Sequence, residues 1–177
     1  MKDIEKRYLE LFCRVEDIVN GLIMQRKSCF SLTRDSSLME HLNVMYQPID
    51  NGVYIFNLLI RKGFVLPDGS ADCPRCYKNA LISSGAWANL LNGVQNFTKP
   101  VLYRMAFTLK LTPHEAEELI NHYGFCFSTQ DYRDMLVLAM LECGIYDSSD
   151  VYEVLERAAR NTRNQRNPVK NIYPKEK

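Results

Sequence analysis

Between Cys76 and Leu119 the chain runs without a gap through short apolar-periodic segments, and their spacing fits helix, turn, helix, loop, helix, helix. The centre of this stretch is CYKNALISSGAWANLLNG. Three apolar faces at that spacing close into a small helical module. Such a module leaves one short helix on its outside. No other feature of the sequence constrains the fold as much, because no segment shows the sustained alternation of a strand.

The boundaries follow from turn and cap chemistry. A helix over 53–62 is closed by Gly63, and FVLPDGSA is a loop with a Pro-Asp-Gly turn. Asp72 caps the next helix, Pro74 suits its first turn, and that helix runs to about Leu81. Ser83 or Ser84 starts the outside helix and Gly93 ends it. Thr98 caps a helix over 99–109. Thr112-Pro113-His114-Glu115 is a capping box with proline at the first helical position, and Gly124 closes the helix it opens. Ser128 to Asp131 opens a helix through Glu142, ended by Gly144, and Asp147 to Asp150 opens the last one.

Residues 1–27 read as one helix in which Ile4, Tyr8, Leu11, Val15, Ile18 and Leu22 form a heptad stripe widened by Phe12, Val19 and Ile23. Two uses of that stripe stand open: packing on the chain's own core, or pairing with a second copy. Asp35 caps a shorter helix that Pro48 ends. The expected organisation is an N-terminal helical extension (1–50, dimerising or wrapping the core), a core (51–126), a C-terminal helical extension (127–160) and a basic flexible tail (161–177). The fold class expected is all-α, a compact bundle of about seven helices.

Charge is unevenly spread. Formal net charge is +1, yet from Arg157 to Lys177 seven Lys or Arg stand against Glu176 alone, so the tail is +6 and the rest is −5. The longest apolar run, Met135–Leu141, is far too short to span a bilayer, and MKDIEKRYLELF has no signal-peptide core. A cytoplasmic protein is expected, with no membrane partner. Its six cysteines (13, 29, 73, 76, 126 and 143) are then reduced thiols, mostly buried.

From Cys76 onward the sequence resembles the bacterial Xre/Cro-like helix-turn-helix family. Ala80 stands at the small residue, Ile82 in the tight turn and Trp87 at the apolar anchor, with Leu90 inward and Gly93 after the outside helix. Leu102, Ala106, Leu109 and Leu111 fit the following helix. A closer likeness, over Ile55–Leu155, is to a helix-turn-helix-like module found at the C-terminus of various bacterial multidomain proteins. It rests on Gly124-Phe125, the following Ser128, and Ile145-Tyr146-Asp147 before the last helix. The resemblance implies a lambda-repressor-like core whose outside helix enters the DNA major groove.

On that helix the exposed positions would be Ser84, Gly85, Ala88, Asn89 and Asn92, none of them charged. Asn89 is suited to a bidentate pair with adenine. Lys78, Lys99 and Arg104 stand where backbone phosphates would lie. Arg157, Arg160, Arg163 and Arg166 recur every third residue and would add a positive stripe on a continued helix. Two functions from different classes follow. One is a double-stranded-DNA-binding regulator, transcriptional or phage- and defence-related. The other is a protein–protein interaction module on the same scaffold, partnering an unidentified effector or toxin; Gly85 and Ala88 suit close packing on a protein equally well.

Catalytic signatures fail one by one. Cys73-Pro-Arg-Cys76 is a CxxC, but in an all-helical setting and with Cys76 at a position the fold buries. His114-Glu115 begins an HExxH, but Glu118 stands where the second His must be. Phosphate-loop and nucleophile-elbow patterns are absent. The sequence predicts no enzyme, no catalytic residue, no metal site and no cofactor.

Overall fold

A computed structural model of the chain describes residues 2–29 and 51–161. Every element described is a helix: α1 (Lys2–Cys29), α2 (Asn51–Arg61), α3 (Cys73–Asn79), α4 (Ser84–Leu91), α5 (Lys99–Thr108), α6 (Pro113–His122), α7 (Tyr132–Glu142) and α8 (Ser148–Asn161). Seven of them follow Asn51, as expected, and α1 is the eighth. The helix expected after Asp35 and the basic tail beyond Asn161 lie outside the described residues. In the loop after α2, Val65 and Ala71 form an isolated antiparallel bridge around the Asp68-Gly69-Ser70 turn.

Caps set the helix starts. Asp72, Ser83 and Asp131 accept from backbone N–H groups of the first turns of α3, α4 and α7. Thr112 and Glu115 complete their capping box at α6. Thr98 occupies the N-cap of α5 without a side-chain hydrogen bond. The helix ends share one terminator. At Gly63, for instance, its N–H donates to the Ile60 carbonyl and the Phe64 N–H to Leu59, with Gly63 at φ 74°. This is a Schellman motif, which satisfies the orphan carbonyls of the last turn. The same pair of bonds recurs at Leu81 and Lys110, where the left-handed residue is not glycine (φ 53° and 49°).

α2 packs on α3 and α4, α3 on α4 and α5, and α5 on α6, which leads on to α7. Ile55, Leu58, Leu59, Leu102, Met105, Phe107, Leu111, Leu119 and Ile120 fill this core. α7 is buried all round from Asp134 to Leu141, because α1 covers the side that the other helices leave open. Phe12, Val15 and Val19 of the α1 stripe are buried, and Leu11, Ile18 and Leu22 pack against the core beside them. α1 also meets α8, where Arg7 pairs with Asp150 at 2.8 Å. Of the two uses open for the stripe, packing on the chain's own core is the one observed. Ile4, at the start of the stripe, remains exposed. The N-terminal helix and the C-terminal extension, distant in sequence, thus form one packed layer.

Candidate nucleic-acid interface

α3, the turn after it and α4 are held by a small apolar cluster. Cys76, Ala80, Ile82, Trp87 and Leu90 are all buried, and the Tyr77 ring lies 6.1 Å from that of Trp87. These are the positions assigned to the inner side of the module. Ser83 Oγ accepts from the Ala86 N–H at 3.2 Å and fixes the start of α4. With Trp87 and Leu90 turned inward, Ser84, Gly85, Ala88 and Asn92 are left exposed. Asn89 is only half-buried, so it sits at the edge of that face. The exposed face of α4 carries no charge.

The candidate cations divide. Lys78 is exposed on α3 and makes no ion pair among the described residues. Lys99 is committed elsewhere: its ammonium donates to Asp134 at 2.6 Å. Arg157 lies on the seam of α1 and α8, donating to Glu153 at 2.8 Å with its guanidinium 5.9 Å from the Tyr8 ring centroid. Arg104 is half-buried and lines a cleft beside α4. Arg160 falls in the last turn of α8, with its side chain outside the described residues, as are Arg163 and Arg166.

The structure also brings forward residues that the sequence left aside. Arg75, exposed on α3, stands over the Phe64 ring at 4.7 Å, which orients it. Arg61 and Lys110 are exposed on the same basic segment. Between residues 51 and 112 seven Lys or Arg stand against two acids, Asp68 and Asp72. Between residues 113 and 156 ten acids stand against Arg133 alone. The near-neutral total hides not a uniformly acidic body but a division along the chain, with residues 51–112 basic and residues 113–156 acidic. A segment-by-segment charge count would have found it.

Two concavities border the α3–α4 unit. A cleft of about 430 Å³ is lined by Ile82, Ser83, Ala86, Leu90, Val101 and Arg104. A groove of about 750 Å³ runs between Leu11 of α1, Lys78, Lys110 and the start of α8 at Asp147. Leu81 borders both and is 51% exposed, and Val94, past the far end of α4, is 72% exposed.

Asp134 is a fully buried polar side chain. It accepts from Lys99 Nζ at 2.6 Å, the Ser128 N–H at 2.6 Å and the Tyr103 hydroxyl. Burial, then the bond to Asp134, raises the Tyr103 pKa, so the phenol stays a donor. A buried carboxylate is tolerable only with such a set of donors. Here they tie α5, the loop before α7, and α7 together. In the CxxC, burial raises the Cys73 thiol and pushes Cys76 up to about 12, the opposite of the lowering that activates a thiol. His114 is exposed beside Glu118 at 3.6 Å, and no cluster of three metal-ligating residues occurs among the described residues. No helix described is long and apolar enough to cross a membrane.

No protein-family model, curated protein or solved structure matches the chain.

Proposed function

We propose that the α3–α4 unit binds double-stranded DNA, chiefly through phosphate contacts, with α4 laid against a groove. In this proposal α2–α6 form the lambda-repressor-like core that the resemblance implies, and the protein acts as a non-enzymatic bacterial regulator in the cytoplasm. The observation that carries it is the setting of α4: an exposed, uncharged helix face held within a segment of seven cations and two acids. Phosphate contacts supply affinity and register, whereas base edges supply selectivity. Arg75, Lys78 and Arg61 serve the first role. Ser84, Asn89 and Asn92 offer few donors for the second, so selectivity among sequences is expected to be low.

The test is fluorescence anisotropy on random-sequence duplex at low and physiological salt. Affinity should fall steeply with salt, and Lys78→Ala should lower the salt slope by about one. Absence of binding at low salt would sink the proposal. One observation favours a second function, the protein-interaction module. Leu81 and Val94, before and after α4 in the chain, are large apolar side chains left exposed, which is how a protein contact is furnished. A stoichiometric partner recovered from the native host and released by Leu81→Asp would decide for it.

A further inference from the structure

We infer that the groove between α1, the ends of α3 and α5 and the start of α8 holds a small molecule with one anionic head, a carboxylate or a phosphate, on an apolar body. The backbone gives the first sign. Among the described residues, Leu81 at φ 53° and Lys110 at φ 49° are the two non-glycine residues in the left-handed region, and both line this groove. At Gly63, Gly93, Gly124 and Gly144 the chain closes helices with glycine, which adopts that conformation without strain. At Leu81 and Lys110 it keeps a side chain instead, one apolar and 51% exposed, the other cationic and exposed. Strain that persists where glycine would relieve it marks a functional site.

Charge specifies the head. Lys78, in the last turn of α3, lines the groove together with Lys110, and neither makes an ion pair among the described residues. Two cations on one concavity repel each other. An anion seated between them removes that repulsion and accepts charge-assisted hydrogen bonds from both. Leu11, Leu81, Phe107 and Ile145 supply the apolar lining that a hydrocarbon body needs.

The remaining charges limit the occupant. Asp147 and Asp150 also line the groove. Arg7 holds Asp150 at 2.8 Å, and Asp147 accepts from the Ser149 N–H at 2.9 Å. These carboxylates turn away a second negative charge, so the ligand carries a single anionic group and is not a stretch of nucleic acid. A volume of about 750 Å³ is that of a small-molecule site. Such binding is independent of DNA, and Lys110 is not among the phosphate contacts assigned above.

Two-dimensional amide NMR on the full, isotope-labelled chain tests it, with hexanoate, hexyl phosphate, hexanol and hexylamine added at constant pH and ionic strength. Hexanoate or hexyl phosphate should shift the amides of residues 78–81, 108–110 and 143–148. The Kd of so small a probe should be on the order of 10 mM, and the tighter of the two anions identifies the head. Hexanol and hexylamine should bind weaker by about threefold or more. Lys110→Gly removes the cation and relieves the backbone, so a loss of binding there is not a loss of fold. It should weaken the anion by about threefold or more in a chain no less stable than wild type, and Lys78→Ala should weaken it likewise. Failure of both anions to shift those amides overturns the inference. So does binding that hexanol or hexylamine equals, or that survives both lysine substitutions.

Discussion

At the scale of single residues, Asp134 is the side chain on which most depends. It takes three donors, two from α5 and one from the loop before α7, into a site closed to water. Removing one partner of a buried pair strands the other charge, which costs about 3–5 kcal/mol. Asp134→Ala should lose that much in urea unfolding, and Asp134→Asn, which keeps an acceptor oxygen, should lose less. A loss below about 1 kcal/mol for the alanine variant would mean that these donors find water instead. Glu115 shows the milder, surface form of the same economy. Burial would raise its pKa, but the Lys62 ammonium at 2.6 Å and the Thr112 bonds outweigh it and hold the carboxyl below the usual range. The unfolded chain therefore binds this proton more readily than the folded one. The contribution of Glu115 is full above the ordinary carboxylate range and fades as pH falls through it towards the depressed native value. His122 acts in the same direction at higher pH. Its ring stacks on Tyr54 at 3.8 Å, and burial lowers its pKa, so acidification below the ordinary histidine range works against the fold.

At the scale of elements, starts were easier to see in the sequence than partners. Cap residues act within three positions of themselves, so Asp72 and the Thr112 box were legible as written and Ser83 was one of two adjacent serines offered. The inward residues Ala80, Ile82, Trp87 and Leu90 were legible for a similar reason, since one helical period decides them. Glycine-ended helices were visible as well. The ends at Leu81 and Lys110 hold their left-handed backbone without glycine's signal, enforced by the apolar residue that follows each and sinks into the core. Such a residue costs about 1 kcal/mol. Lys110→Gly should therefore raise stability by roughly 0.5–1 kcal/mol, read as a shift of the urea midpoint at constant slope. The Lys99–Asp134 pair was illegible because it joins residues 35 apart in sequence through packing alone. It gives a partner within the chain to a lysine that the sequence had set among the phosphate-contact candidates. The cover that α1 gives α7 was illegible for the same reason: a heptad stripe states that something apolar faces it, not what.

At the scale of the whole molecule, the division of charge has a consequence in the laboratory. Judged by its formal +1, the chain should pass through a column of either sign with little delay. A resin does not meet the average, however; it meets whichever helices turn towards it. Residues 51–112 bring the exposed cations Arg61, Arg75, Lys78 and Lys110, residues 113–156 bring mostly acids, and with a Debye length of about 10 Å at 0.1 M salt a resin responds to the charges nearest to it. At neutral pH and low salt the protein should be retained on both cation and anion exchangers and released from both by modest salt. Loss of Arg75 and Lys78 together should shorten retention on the cation exchanger while leaving the other column's elution in place. An uneven charge pattern also acts before contact, since the field of a polyanion orients an approaching molecule by its exposed cations.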